Sequence, residues 1–89
     1  MIFVGADIEW LNCAGARTIQ KEFFTANDYH EASKELIKCN HSNGYTCQRV
    51  LNAEFHDTKT GRTWNVDSHG HTQKNYHYDS DNDFKERWK

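Results

Sequence analysis

Residues 2–11 place Ile2, Val4, Ala6, Ile8 and Trp10 on one side of an extended chain, with Asp7 and Glu9 on the other. Period two assigns this stretch to a strand with one buried side. Such a strand has to bury its dry side against another layer. With 89 residues there is room for one domain, so the strand belongs to a single sheet with little more than a helix to cover it.

The rest of the chain fits that frame. Asn12-Cys13-Ala14-Gly15 is turn-like, and residues 17–24 read as a second strand, with Ile19 and Phe23 sharing a side with Arg17 and Lys21. An antiparallel hairpin follows from the short connection. Asn27-Asp28 then opens a helix, because Asp28 with Glu31 imitates a capping box. Tyr29, Ala32, Ser33, Leu36 and Ile37 make its apolar stripe. Gly44 supplies a left-handed exit. Residues 45–56 alternate again, with Tyr45, Cys47, Leu51, Ala53 and Phe55 assigned inward and Arg49 interrupting them. Asp57-Thr58-Lys59-Thr60-Gly61 is a hairpin turn, and Trp64 and Val66 face inward from a returning strand over 62–67. The expectation is an α+β domain: a four-stranded antiparallel β-β-α-β-β sheet over residues 1–67, with one helix packed on one face. Residues 68–83 carry no aliphatic side chain and read as a long loop or irregular strand, within a polar extension of the same domain over 68–89. Phe84 and Trp88 stack at i, i+4 in a short final helical turn capped by Asp83. That turn is too short to stand alone, so both rings must dock on the domain or on a partner.

Composition narrows the function classes. A formal charge of −2 is wrong for a generic phosphate binder and far too mild for a nucleic-acid mimic. No apolar run reaches the length of a membrane span. Three cysteines, Cys13, Cys39 and Cys47, behind an N-terminus without a leader pattern, read as reduced thiols in a cytoplasmic setting.

Several constellations carry chemistry on paper. His69, His71 and His77, with Asp67 and His56, hold ligand types for zinc, nickel or copper, but their spacing fixes no fourth ligand. Cys39-x-His41 with Cys47 and Cys13 matches no finger spacing, and Cys39 with His41 lacks the orienter and oxyanion site a nucleophile needs. Asp79, Asp81 and Asp83 imitate the start of a calcium loop, which fails because Phe84 stands where glycine is required. Arg49, Arg62, Lys59 and Trp64 could offer a basic, aromatic face to single-stranded nucleic acid. No cofactor is implied.

The layout Thr25-Ala26-Asn27-Asp28-Tyr29-His30-Glu31-Ala32, through Gly44-Tyr45, then Val50 to Val66 with its Thr-Gly turn and tryptophan, resembles that of small phage-encoded proteins. These include anti-CRISPR inhibitors that pack one helix on an antiparallel sheet. The likeness is one of layout over about two thirds of the chain and carries over no functional residue. It implies a non-enzymatic inhibitor, acting in the host cytoplasm, that binds and occludes a large nuclease or effector complex. Tyr76, Tyr78, Asp79, Asp81, Phe84, Arg87 and Trp88 are the expected contact residues. The alternative is a metal- or nucleic-acid-binding protein using His69, His71 and His77, or Arg49 and Arg62.

Overall fold

A computed structural model describes residues 1–89. Its elements are β1 (Ile2–Asn12), β2 (Arg17–Ala26), α1 (Tyr29–Ile37), β3 (His41–Ser42), β4 (Thr46–Asp57), β5 (Arg62–Val66), β6 (Thr72–Tyr78) and α2 (Asp81–Arg87). The α+β antiparallel architecture stands. The sheet has six strands rather than four, in the order β2-β1-β4-β5-β6 with β3 beside β4. The added strands left little hydrophobic trace. β3 is two residues long, and every residue of β6 is exposed, so neither shows a buried period. No helix is long and apolar enough to cross a membrane.

The two faces of the sheet are both used. Ile2, Val4, Ala6 and Ile8 join Val50, Ala53, Phe55 and Val66 under Ala32 and Leu36 of α1. Asp28 caps that helix by accepting from the Glu31 N–H at 2.8 Å, as its sequence requires. The opposite face carries a second core, in which Phe84 of α2 and Trp88, the residue just after that helix, pack with Phe3 and Phe23. β1 therefore has two buried sides. α2 is longer than the expected turn, and Ser80 rather than Asp83 caps it, accepting from the Asp83 N–H at 3.1 Å. Phe84 is 0% and Trp88 6% exposed. Both are core residues, so neither is available to a partner as expected.

Two local details correct the reading of β4 and of the helix exit. Asp7 pairs with Asn52 but Ile8 pairs with Val50, which leaves Leu51 as the extra residue of a β-bulge. A one-residue slip exchanges the faces of a strand. Ala53 and Phe55 point into the α1 core, but on the other side of the bulge Val50 takes the inward place, and Tyr45, Cys47 and Leu51 are exposed. The left-handed glycines are Gly15, Gly61 and Gly70, not Gly44. The chain leaves α1 instead through Asn40, whose side chain accepts from the Val50 N–H and donates to the Ser68 carbonyl, both at 2.8 Å.

The α2 face also holds the ion pairs of Glu9 and Arg87. Glu9, 7% exposed, accepts from the Nε of Arg49 at 2.7 Å and from that of Arg17. Arg87 donates to Glu54 and Asp79, each at 2.9 Å. The Arg49 hydrogen bond leads the effects that hold the Glu9 carboxyl below its ordinary range. Burial pushes Asp79 up, but hydrogen bonds from Arg87 and Thr63 and the nearby positive charge outweigh it, so its carboxyl is also lowered. Both groups thus bind protons less readily folded than unfolded. Their stabilisation is present above the ordinary carboxylate pKa of about 4 and is lost as pH falls through their folded values. Urea midpoints are expected to drop steeply below about pH 4, and Glu9→Gln should flatten that drop.

Candidate functional site

α1 is about 10–12 Å wide, whereas five strands at about 4.8 Å spacing span about 19 Å. One helix cannot cover that width, and here it packs over β1, β2 and β4. The β5–β6 half of the same face is left open. The result is a groove of about 500 Å³ lined by Tyr29 and Ser33 of α1, Phe55, Asp57, Arg62 and Trp64 of the sheet, and Gly70 and His71 of the β5–β6 loop.

The walls of the groove are held by specific contacts. Trp64 Nε1 donates to the Tyr29 hydroxyl at 3.0 Å, and the Tyr29 hydroxyl approaches Asp57 Oδ2 at 3.4 Å. Burial leads the effects that raise the Tyr29 phenol above its usual range. Ser33 Oγ donates to the Gly70 carbonyl at 2.7 Å, fixing the β5–β6 loop on α1. Gly70 has φ +83°, and a Cβ there would lie 2.9 Å from Ser33, so only glycine fits. The Asp67 carboxylate accepts the His69 and His71 backbone N–H groups at 2.9 and 3.0 Å, and the His71 bond leads in lowering its pKa.

Beyond the groove runs an aromatic row, half-buried at Trp64 and exposed at its two tyrosines. Trp64 and Tyr76 rings lie 4.8 Å apart, and Tyr76 and Tyr78 meet edge-on at 5.6 Å. The Arg62 guanidinium sits 5.0 Å above the Tyr76 ring and bonds the Tyr78 phenol, which holds that hydroxyl below the usual tyrosine range. Tyr76 and Tyr78 are 43% and 63% exposed. Of the expected contact set, Tyr76, Tyr78, Asp81 and Arg87 are exposed, and beside the two tyrosines stand the exposed Arg62 and the half-buried Trp64.

The three charged residues of that set are also engaged within the fold. Asp79 holds Arg87, and Asp81 accepts from His56 Nε2–H at 2.7 Å. The nucleic-acid surface divides. Arg62 stands on the α1 face, whereas Arg49 pairs with Glu9 on the opposite one. The histidines separate as well: His77 pairs with Asp79, and the His69 and His71 rings lie 6.4 Å apart by the α1 groove. No three His, Cys, Asp or Glu side chains converge to hold a metal ion. Cys39 Sγ donates to the Glu35 carbonyl at 3.6 Å, and burial raises its thiol pKa, the reverse of what a nucleophile needs.

One arrangement has the outline of a catalytic triad. His56 lies between Thr63 Oγ1 at 2.9 Å and Asp81 at 2.7 Å. His56 and Thr63 are both 0% exposed, and Phe84 stacks on the imidazole at 5.1 Å. A hydroxyl closed off in this way meets no substrate, so the contact joins α2 to the sheet.

Sequence reasoning missed Tyr29, Asp57 and His71 as neighbours, and it set Trp64 fully inward. The available signal was the width of one short helix against the number of strands. Comparison with protein-family models, with curated proteins and with solved structures returns no match.

Proposed function

We propose that this chain is a non-enzymatic protein-binding module whose contact surface is the α1–β5–β6 groove and the Trp64–Tyr76–Tyr78 row beside it. The observation that carries this reading is the cluster of two exposed tyrosines and an exposed arginine on the half-buried Trp64, beside a 500 Å³ groove. These residue types dominate binding energy at protein interfaces, because they bury large rigid area and keep a polar handle. The groove presents Asp57 as well as Arg62. That mixed charge suits a protein surface better than a phosphate backbone, which calls for a run of cations. Within this reading, the narrower proposal is an inhibitor that occludes a host nuclease or effector complex, as the phage-like layout implies.

The test is capture from host lysate with the intact protein and its Tyr78→Ala and Arg62→Ala variants. Both side chains are exposed, so the fold should persist. The expected result is a stoichiometric protein partner that withstands high salt and is bound roughly tenfold or more weakly by each variant. Capture indifferent to both substitutions, or recovery of salt-sensitive nucleic acid alone, overturns the reading.

A further inference from the structure

The two edges of the sheet differ in how they are guarded. β6 breaks register where Trp64 pairs with Tyr76 but Val66 pairs with Thr72, and Lys74 stands in the bulged stretch. Bulges and lysines are the usual means of stopping an edge from pairing. β2 has no bulge, and its one lysine, Lys21, is drawn toward α2 by donating to the Arg87 carbonyl at 3.1 Å. It runs ten residues, Arg17–Ala26, in unshifted register with β1. It contains no proline, and Arg17 through Glu22 are exposed. Its outer N–H and C=O groups form a long, regular template for another strand.

We propose that this edge pairs with the β2 edge of a second copy, antiparallel about a two-fold axis at Gln20. Side-chain chemistry selects both the partner and the register. In a continuous two-fold sheet, directly opposed residues lie on the same face, so the axis passes through a residue rather than between two. An axis at Ile19 sets Arg17 against Lys21, one at Lys21 opposes two lysines, and one at Glu22 opposes two glutamates; each is repulsive. An axis at Gln20 opposes Arg17 with Phe23, Thr18 with Glu22 and Ile19 with Lys21, with no like charges facing. An axis at Phe23 also avoids repulsion, but it relies on half-buried Phe23 and Phe24 and buried Ala26. The Gln20 register rests on the fully exposed residues 17–22 and reaches only Phe23 among the half-buried ones. β2 and β6 are opposite edges of the sheet, so such a dimer leaves both aromatic grooves open. This inference is independent of what the groove binds.

Sedimentation of the intact protein over a wide concentration range tests it, with Thr18→Lys, Thr18→Glu and Thr18→Glu/Glu22→Lys alongside. Thr18 is exposed and faces Glu22 only across the two-fold. A dimer is expected, tightened by Thr18→Lys and weakened by Thr18→Glu, each by up to about tenfold, and restored in the double variant. Circular dichroism checks that each variant keeps the sheet. A wild-type protein that stays monomeric, or a dimer that answers the two charges alike, overturns the proposal.

Discussion

Gly5→Ala is expected to unlatch α2 from the sheet. A Cβ at this position would fall 2.2 Å from Cγ and Cδ2 of Trp88, well inside any tolerated contact. These atoms are the root of a rigid ring, so the whole indole must lift and its Nε1–H must leave Glu54, which it now meets at 2.8 Å. Overpacking of this kind costs about 1–3 kcal/mol. At an open strand position the same change would stabilise, because alanine loses less backbone entropy than glycine. The sign of the shift in urea midpoint therefore decides the matter. Trp88→Ala alone should cost about 3–5 kcal/mol. The Gly5→Ala/Trp88→Ala double variant should cost clearly less than the two singles together, since the clash disappears with the ring. Strict additivity would show that the two residues do not meet.

Removing residues 80–89 should have a larger effect still. The deletion takes away Phe84 and Trp88, and it bares Phe3, Phe23 and His56, against which they pack. Each lost aromatic is worth about 3–5 kcal/mol, against about 5–15 kcal/mol for a whole domain. The shortened chain is expected to be largely unfolded at room temperature, with weak protection in amide exchange. A chain that keeps a cooperative, native-like melt would instead make α2 an appendage, and Phe84 and Trp88 would return to the set of partner contacts. The same experiment separates a structural tail from a binding tail, which the sequence alone leaves open.

The local rules were legible because they act over a few residues. The inward alternation of Ile2, Val4, Ala6 and Ile8, the Asp28 cap and the Gly61 turn, with φ +80°, all appear where the sequence places them. The contact set was legible only in part. Tyr76 and Tyr78 stood out as aromatics in a polar segment and do face solvent, while Phe84 and Trp88 stood out for the same reason and are core. Nothing within residues 68–89 distinguishes the two pairs, because the difference lies in what waits across the sheet: Phe3, Phe23 and the bare backbone of Gly5 beneath α2.

By itself, then, the sequence determined the class of the domain, the first hairpin, the helix and its cap, since propensity, capping and period two are properties of neighbouring residues. Tertiary structure decided the rest. Pairing with β1 puts Leu51 in a bulge and turns Val50 inward. α2 gives β1 a second dry face, and the limited width of α1 opens the groove over Trp64. Each of these depends on residues brought together from distant parts of the chain, and their spacing along it carries no periodic trace of the meeting.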